Sequence, residues 1–278
     1  MKTKTVIVTG ASSGLGASIA TQLAQMGANV VISARTASAL EQTAQRVQQA
    51  GTQARVVPGN ITDIETMQNI VKTAVDEFGS ICALVNNAGT LDPIAMSKDA
   101  DIDAWKHTFD VNFFAPLQLT REALPYLRDC EGRGRIINIS SGAAVRGYPT
   151  WGAYGASKSA LNHFTQTLSA EEPEVISIAM RPGVVDTPMQ RQIREQGKNT
   201  MPSQLYERFE SLHTTGKLLD PDLPGFSAAV LALQAPPDWS GEFMDWDNEH
   251  VRRLRERCER MLNENQVPGH LVGDEFPN

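Results

Sequence analysis

The sequence predicts a three-layer, doubly wound α/β fold built on a parallel sheet of about seven strands. The first half of the chain alternates short apolar segments with longer amphipathic ones, and a glycine-rich turn follows the first apolar segment. Apolar segments separated by helices are typical of a parallel sheet that helices cover on both faces. Right-handed crossovers then give a doubly wound sheet, in which ligands bind beyond the carboxyl ends of the strands.

Six apolar segments are expected to be strands, at residues 5–9, 29–33, 54–57, 81–85, 135–139 and 175–179. The segments between them predict helices at residues 15–26, 39–50 and 103–127, and a further helix that begins after Asp63 and runs to Phe78. Asp63 is a suitable N-cap because its carboxylate can accept from free N–H groups. We expect the long helix to be broken or bent near Pro116.

Composition and charge exclude several classes of protein. The 278 residues are 41% hydrophobic and 21% charged, which is ordinary for a globular domain. No uncharged apolar run approaches the ~18 residues of a membrane-spanning helix. The net charge of −7 argues against nucleic acid as a principal partner, because phosphate binding requires a basic face. The N-terminal apolar run is too short for a secretion signal, so we expect a cytoplasmic protein.

The cysteines and histidines indicate neither a disulfide nor a metal site. Cys82, Cys130 and Cys258 are far apart in the sequence and form no CxxC pair, and the five histidines are equally scattered. We therefore expect reduced thiols, as in cytosolic proteins, and no metal ligands.

We expect residues 1–247 to form a single nucleotide-binding catalytic domain, and residues 248–278 a C-terminal helix and tail. Residues 187–225 break the alternation, and form either a surface helical excursion or a substrate lid over the strand ends, two interpretations that are compatible. Within the tail, apolar residues recur at helical spacing at Val251, Leu254, Cys258 and Met261. This apolar seam packs either on the chain's own body or on a partner subunit.

The first motif, Thr9-Gly10-Ala-Ser-Ser-Gly14-Leu-Gly16, connects the first strand to the first helix. Glycines allow a tight turn and a close approach to a pyrophosphate, and the helix N-terminus presents free N–H groups to it. In isolation the motif would indicate only a tight turn, but between a strand and a helix it predicts a nucleotide site.

The end of the second strand favours NADP over NAD. An acid there would bind the ribose hydroxyls of NAD, but the sequence reads Ser33-Ala34-Arg35 and has no acid before Glu41. An arginine can bind a 2′-phosphate through a charge-assisted fork. The alternative is that Arg35 is an ordinary surface charge.

Three further groups of residues carry chemistry. Asn86-Asn87-Ala88-Gly89 ends the fourth strand, where small residues suit a backbone close to a ligand. Asn112 lies in the long helix, where a buried amide needs hydrogen-bond partners. It is either a structural residue or part of a proton relay, and the two roles are compatible. Tyr154 and Lys158 share one helical face, downstream of Ser140-Ser141. The ammonium is expected to lower the pKa of Tyr154 and make it a general acid or base.

With these residues assembled, the chain resembles the short-chain dehydrogenase/reductase family over residues 4–245. The motifs appear in the family's order, including Arg181-Pro182-Gly183. The resemblance implies a Rossmann fold, a homo-dimer or homo-tetramer, and a catalytic set of Asn112, Ser141, Tyr154 and Lys158. Ser141 is preferred to Ser140 because its spacing to Tyr154 matches the family. Within the family, the chain is similar to sepiapterin reductases and microbial benzil reductases, which implies that Asp245 or Asp247 contacts substrate.

Together, the motifs and the resemblance predict a small-molecule carbonyl substrate and NADP(H) as cofactor. The predicted cofactor residues are Gly10, Ser12, Ser13, Gly14, Leu15, Gly16, Arg35, Asn60, Ile61, Asn87, Ala88, Gly89, Val111, Tyr154, Lys158, Pro182, Gly183, Val185 and Thr187. The predicted substrate residues are Ser141, Tyr148, Trp151, Tyr154 and Met189. Asn60 stands where most of the family has an aspartate.

The resemblance implies an NADPH-dependent reductase of a ketone or vicinal dicarbonyl, in which Tyr154 donates the proton. Two alternatives remain open. One is an NADP-dependent alcohol or steroid dehydrogenase that runs in the oxidative direction, and the other is a non-catalytic NADP-binding regulator on the same fold.

Overall fold

The computed structural model describes residues 3–264 and contains a seven-stranded, all-parallel sheet in the order β3-β2-β1-β4-β5-β6-β7. The strands are β1 (Thr5–Thr9), β2 (Asn29–Ala34), β3 (Ala54–Pro58), β4 (Ala83–Asn86), β5 (Gly134–Ile139), β6 (Val175–Arg181) and β7 (Phe243–Asp245). The predicted fold class is confirmed. The six predicted strands are all present, with ends that differ by up to two residues. β7 is only three residues long, so no apolar run marks it in the sequence.

Within residues 3–264, ten α-helices connect and cover the strands. They are α1 (Gly14–Gln25), α2 (Ala37–Gln49), α3 (Ile64–Phe78), α4 (Ile102–Phe109), α5 (Ala115–Arg128), α6 (Gly152–Glu171), α7 (Pro188–Gly197), α8 (Ser203–Thr214), α9 (Asp222–Gln234) and α10 (Glu249–Asn263). Apolar residues of α1, α2 and α9 pack on one face of the sheet, and those of α3, α5 and α6 pack on the other. None of these helices is both long and apolar enough to cross a membrane.

The long helix expected at residues 103–127 is three segments. α4 and α5 are joined by a π-helical segment at Asp110–Phe114, and this segment contains Asn112. The irregular turn therefore precedes Pro116, near which the helix was expected to bend or break. Pro116 lies in the first turn of α5, directly after this segment, and has no N–H group to donate to the turn before it. Asp63 precedes α3 as predicted, but its side chain makes no capping hydrogen bond.

The expectation of three reduced thiols is wrong for two of them. Cys82 and Cys130 form a disulfide, with Cα atoms 5.2 Å apart, and Cys258 is the free cysteine of the described residues. Cys82 precedes β4 and Cys130 precedes β5, so pairing of these neighbouring strands brings the two residues to the same edge of the sheet. The cysteines therefore do not support the expected cytoplasmic location.

The C-terminal seam packs on the chain itself. Val251, Leu254 and Cys258 of α10 are buried in the same core as the apolar residues of α9. Met261, the last residue of the seam, is half-buried.

Tight packing between α5 and β5 gives a test of the fold. A Cβ atom at Gly134 would lie 2.4 Å from the carbonyl oxygen of Leu127, which is backbone and cannot move aside. Gly134→Ala should therefore lower the free energy of unfolding by about 1–3 kcal/mol. The matched control is Gly147→Ala, because a Cβ atom at Gly147 meets no atom within 4 Å. Urea denaturation measures both, and equal stabilities would contradict the packing.

Candidate functional site

Two cavities meet at the carboxyl edge of the sheet. The glycine-rich cavity, of about 600 Å³, is lined by the loops that follow β1, β2 and β4. The aromatic cavity, of about 380 Å³, lies between the start of α6 and the helices α7 and α8. Their common boundary consists of Ser141, Tyr154, Gly183, Val185, Thr187 and Met189. A molecule in one cavity would thus meet a molecule in the other beside Tyr154.

The structure brings the predicted residues together. All of the predicted cofactor residues line the glycine-rich cavity, and all of the predicted substrate residues line the aromatic cavity. Asn112 lines neither cavity. The sequence reasoning missed several residues of the aromatic cavity, namely Leu91, Ala143, Gln190, Ile193, Arg208 and Trp246.

The turn after β1 is packed tightly against the loop after β4. Gly10 has a φ of +66°, and a Cβ atom on it would lie 2.9 Å from the Cα atom of Ala88. A Cβ atom on Gly16 would lie 2.3 Å from the carbonyl oxygen of Gly10. Asn87 holds the turn in place, because its Nδ2 donates to the carbonyls of Thr9 (2.9 Å) and Gly10 (3.2 Å). Only glycine fits at these positions.

The N-terminus of α1 faces the glycine-rich cavity without a cap. Ser13 occupies the N-cap position, but its side chain makes no capping hydrogen bond, and the first turn contains no acid. The N–H groups of this turn and the positive end of the helix dipole are therefore available to an anion. The geometry fits the pyrophosphate of a dinucleotide.

Arg35 directly follows β2 and lies exposed at the wall of the glycine-rich cavity. No acid among residues 3–264 forms an ion pair with it. Asn60, in the loop after β3, also lines this cavity, and its side-chain oxygen accepts from the N–H of Thr62 at 3.3 Å.

Ser141, Tyr154 and Lys158 converge because β5 ends beside the start of α6. Tyr154 and Lys158 are both buried, and Lys158 Nζ lies 6.0 Å from the centre of the Tyr154 ring. Lys158 Nζ donates to the carbonyl of Ile139 at 2.7 Å. Ser140 lines only the glycine-rich cavity and its hydroxyl donates to Asn162 Oδ1 at 2.5 Å, whereas Ser141 lies at the boundary of the two cavities. This placement favours Ser141 over Ser140.

The expectation that Lys158 lowers the pKa of Tyr154 is wrong in this structure. Burial raises the pKa of Tyr154 above its usual value, and a hydrogen bond with Ser141 offsets only part of that shift. Burial also lowers the pKa of Lys158 to about 8, because the charged amine is poorly solvated. Tyr154 therefore keeps its proton at neutral pH, and the phenolate is not the resting form.

Asn112 is fully buried and uses both ends of its amide within the protein. Its Oδ1 accepts from the N–H of Thr90, and its Nδ2 donates to the carbonyl of Thr90, each at 2.8 Å. Nδ2 also donates to Ser157 Oγ at 3.0 Å. The side chain thus ties the loop after β4 to α6. Its side-chain oxygen and Lys158 Nζ would lie 3.2 and 3.6 Å from a Cβ atom on Gly89.

The aromatic cavity is built around Trp151. Its ring stacks on Phe209 of α8, with centroids 5.2 Å apart, and meets the ring of Tyr154 edge-on at 5.9 Å. Tyr148 covers another side at 5.1 Å. Since α7 and α8 belong to residues 187–225, this segment forms one wall of the cavity.

Of the two acids considered for substrate contact, Asp245 is already paired. Both of its oxygens accept from the guanidinium of Arg181. This pairing is the main reason that the pKa of Arg181 is raised, and Asp247 contributes to a smaller extent. Both acids line the aromatic cavity, and Asp247 is exposed there.

Comparisons with known proteins identify relatives across most of the chain. The short chain dehydrogenase family model matches residues 4–198. An uncharacterized oxidoreductase of Schizosaccharomyces pombe is 37% identical over 244 residues, 87% of this chain and 96% of the relative. A benzil reductase ((S)-benzoin forming) of Saccharomyces cerevisiae is 35% identical over 258 residues, 89% and 97% of the two chains. The crystal structure of a short chain dehydrogenase/reductase from Saccharomyces cerevisiae has a TM-score of 0.85 at 36% identity, and covers 90% of this chain and 99% of that one.

The burial of Lys158 predicts a stability that depends on pH. Its pKa is 10.5 in the unfolded chain and about 8 in the folded protein, so the folded state binds the proton less tightly. Lys158 therefore lowers the free energy of unfolding below about pH 8, and this penalty fades as the pH rises to about 10.5. Lys158→Met removes this penalty and also the hydrogen bond to the carbonyl of Ile139. The net effect should be a free energy of unfolding that is higher by roughly 1–2 kcal/mol at pH 7.

Urea denaturation of the ligand-free protein at pH 7 and about pH 10 measures the effect. The matched control is Lys217→Met, because Lys217 is exposed. A gain of equal size at both pH values would show that burial of the charge is not its cause.

Proposed function

Since the chain belongs to the short chain dehydrogenase family, we propose that it is an NADPH-dependent reductase of a ketone or vicinal dicarbonyl. The family makes it an oxidoreductase that acts on CH–OH or C=O groups with a nicotinamide cofactor. The observation that carries the proposal is the position of Tyr154 and Ser141, at the boundary between the glycine-rich and aromatic cavities.

The chain's own residues fit a dinucleotide in the glycine-rich cavity. The uncapped start of α1 would hold the pyrophosphate, beside a turn in which Gly10 lies too close to Ala88 to carry a side chain. Val185 and Thr187 lie on the boundary of the two cavities, where they can hold the nicotinamide carboxamide. When bound, the reduced nicotinamide supplies a hydride to the carbonyl carbon.

Arg35 is the residue that favours NADP. It lies at the wall of the cavity, directly after β2, where an acid would repel a 2′-phosphate. Its planar guanidinium can donate two parallel hydrogen bonds to phosphate oxygens. Since it forms no ion pair with an acid of the described chain, binding a phosphate would break no existing pair.

Tyr154 acts as the general acid. Its raised pKa keeps the phenol protonated at neutral pH, so a proton is available for the oxygen of a carbonyl as that carbonyl is reduced. Ser141 donates a hydrogen bond to the same oxygen. Lys158 Nζ lies 6.0 Å from the centre of the Tyr154 ring and would contact the ribose of the nicotinamide half of the cofactor. Asn112 positions the loop after β4 against α6. Its further role of holding a water through which Lys158 regains a proton stays a prediction, because both ends of its amide are bonded within the protein.

The aromatic cavity fits a ketone with aromatic or other planar groups. Trp151, Tyr148 and Phe209 offer ring faces beside Tyr154. A benzil reductase is among the relatives of this chain, and its name describes reduction of one carbonyl of a diaryl diketone. α7 and α8 would cover the substrate as a lid. The product would be a hydroxy ketone or an alcohol.

Removing the phenol tests the role of Tyr154. Tyr154→Phe should leave NADPH binding intact and reduce turnover of ketones and 1,2-diketones by at least about 10²-fold, because the proton donor is lost. NADPH oxidation at 340 nm gives turnover, and titration gives binding. Tyr126→Phe, on the exposed side of α5, is the control. Undiminished turnover in Tyr154→Phe would refute the assignment.

Reversing the charge at Arg35 tests the choice of cofactor. Arg35→Asp should weaken NADPH relative to NADH by about 10–100-fold, because a charge-assisted bond is replaced by repulsion. The ratio of KM values for the two cofactors measures this effect. Arg46→Asp makes the same change of charge at an exposed site on α2 that does not line the cavity. If both variants keep the cofactor preference of the parent, Arg35 does not bind the 2′-phosphate of NADPH.

A further inference from the structure

The first turns of α7 touch both sides of the crevice that holds the glycine-rich cavity. On one side the start of α7 packs on the start of α1, because a Cβ atom on Gly14 would lie 3.0 Å from Thr187 Cγ2 and 3.4 Å from Pro188 Cδ. On the other side, Gln192 Nε2 donates to Asp92 Oδ1, in the loop after β4, at 2.6 Å. α7 therefore extends from the β1 side of the crevice to the β4 side.

This part of α7 is a wall of the glycine-rich cavity. Thr187, Pro188, Met189 and Gln192 line the cavity, and Asp92 lines it from the opposite side of the hydrogen bond. A dinucleotide with its pyrophosphate at the start of α1 and its nicotinamide beside Thr187 would lie against this wall. Movement of α7 away from the loop after β4 would therefore widen the way out of the cavity.

Asp92 is a fixed point to which α7 can be fastened. Its backbone N–H donates to Thr90 Oγ1 at 3.4 Å, and its carbonyl accepts from the hydroxyl of Thr108 in α4. The backbone of Thr90 is held in turn by the amide of Asn112. The carboxylate of Asp92 is itself exposed, and within residues 3–264 its hydrogen-bond partner is Gln192.

The Asp92–Gln192 bond is the one hydrogen bond between α7 and the loop after β4 among the described residues. The other contacts between them are apolar, and involve Leu91 and Ile94 of the loop and Ile193 of α7. Apolar contacts are not directional, whereas a hydrogen bond weakens steeply when its length or angle changes. The bond therefore determines how closely α7 is held to the loop.

We propose that Asp92 is a positioning residue, which fastens α7 over the glycine-rich cavity through Gln192 and thereby slows the release of the cofactor. The inference rests on the proposed function, in which a dinucleotide occupies this cavity. It adds the step by which the dinucleotide leaves: the Asp92–Gln192 bond opens and α7 moves off the loop after β4. Neither residue touches the reacting atoms.

The experiment measures the rate at which NADPH dissociates. Protein loaded with NADPH is mixed with an excess of NADP⁺ in a stopped-flow instrument, and the loss of bound-NADPH fluorescence gives the rate constant. Asp92→Ala and Gln192→Ala each remove one side of the bond. Each should speed release by about 3–10-fold, because a hydrogen bond to a charged group is lost. The double variant should be no faster than the faster single variant, since both substitutions remove the same bond.

Two further substitutions test the chemistry of the bond. Asp92→Asn keeps an oxygen that can accept from Gln192, so its release rate should stay within about twofold of the parent. Gln192→Glu places a second carboxylate against Asp92, and the repulsion should make release at least as fast as in Gln192→Ala. The matched controls are Gln196→Ala in α7 and Asp99→Ala between β4 and α4. Both residues are exposed and line neither cavity, so the rate should not change.

Two results would overturn the inference. One is a parental release rate in either alanine variant, and the other is a double variant in which the two effects multiply. Melting temperatures of the ligand-free variants separate positioning from a structural role. If release is faster only in variants that also melt several degrees lower, the two residues are structural and the inference fails.

Release rates require no turnover, so this test is separate from that of the proposed function. If the parent binds NADPH but reduces no ketone, and the alanine variants release NADPH faster, the proposed function fails and the inference stands. If the parent reduces ketones and the variants release NADPH at the parental rate, the inference fails and the proposed function stands. A parent that binds no NADPH would contradict both.

Discussion

The hydroxyl of Thr9, at the end of β1, accepts hydrogen bonds from the backbone N–H groups of Asn87 and Ala88, and the site is assembled around this contact. β1 and β4 are neighbours at the point where the order of the sheet reverses, so their loops diverge to opposite sides and leave a crevice. The contact sets the distance between the two loops. The loops are close enough that position 10 requires glycine, because a Cβ atom there would lie 2.9 Å from the Cα atom of Ala88. Gly10 and Ala88 both line the glycine-rich cavity.

The same network extends to the catalytic helix. Thr90 follows the loop after β4, and its backbone is held by both ends of the Asn112 amide. Asn112 bonds Ser157 Oγ, which in turn donates to the carbonyl of Tyr154 at 2.8 Å. The turn that would hold a pyrophosphate and the backbone of Tyr154 are therefore linked through these hydrogen bonds and the loop after β4. The π-helical segment is where Asn112 enters this network, which accounts for an irregular turn in an otherwise regular helix.

The parts of this structure that the sequence predicted are those set by local pattern. Apolar runs predicted β1 to β6. The glycine-rich turn, Arg35 and the Tyr154–Lys158 spacing predicted site residues that line the two cavities. The parts that it missed depend on distant contacts or on burial. The Cys82–Cys130 disulfide depends on which strands are neighbours, and the raised pKa of Tyr154 depends on how deeply the phenol is buried.

The residues that the proposed function requires are also those that oppose folding. Lys158 is a buried amine whose charge is poorly solvated, and Trp151 buries an indole N–H that has no acceptor among residues 3–264. Each lowers the stability of the ligand-free protein, since apolar residues of similar shape would fill the same space at no such cost. These groups cluster around Tyr154, whereas the two main cores of the sheet consist of apolar side chains. Ligands that satisfy them would stabilise the folded state by mass action, so binding and stability are coupled at this edge of the sheet.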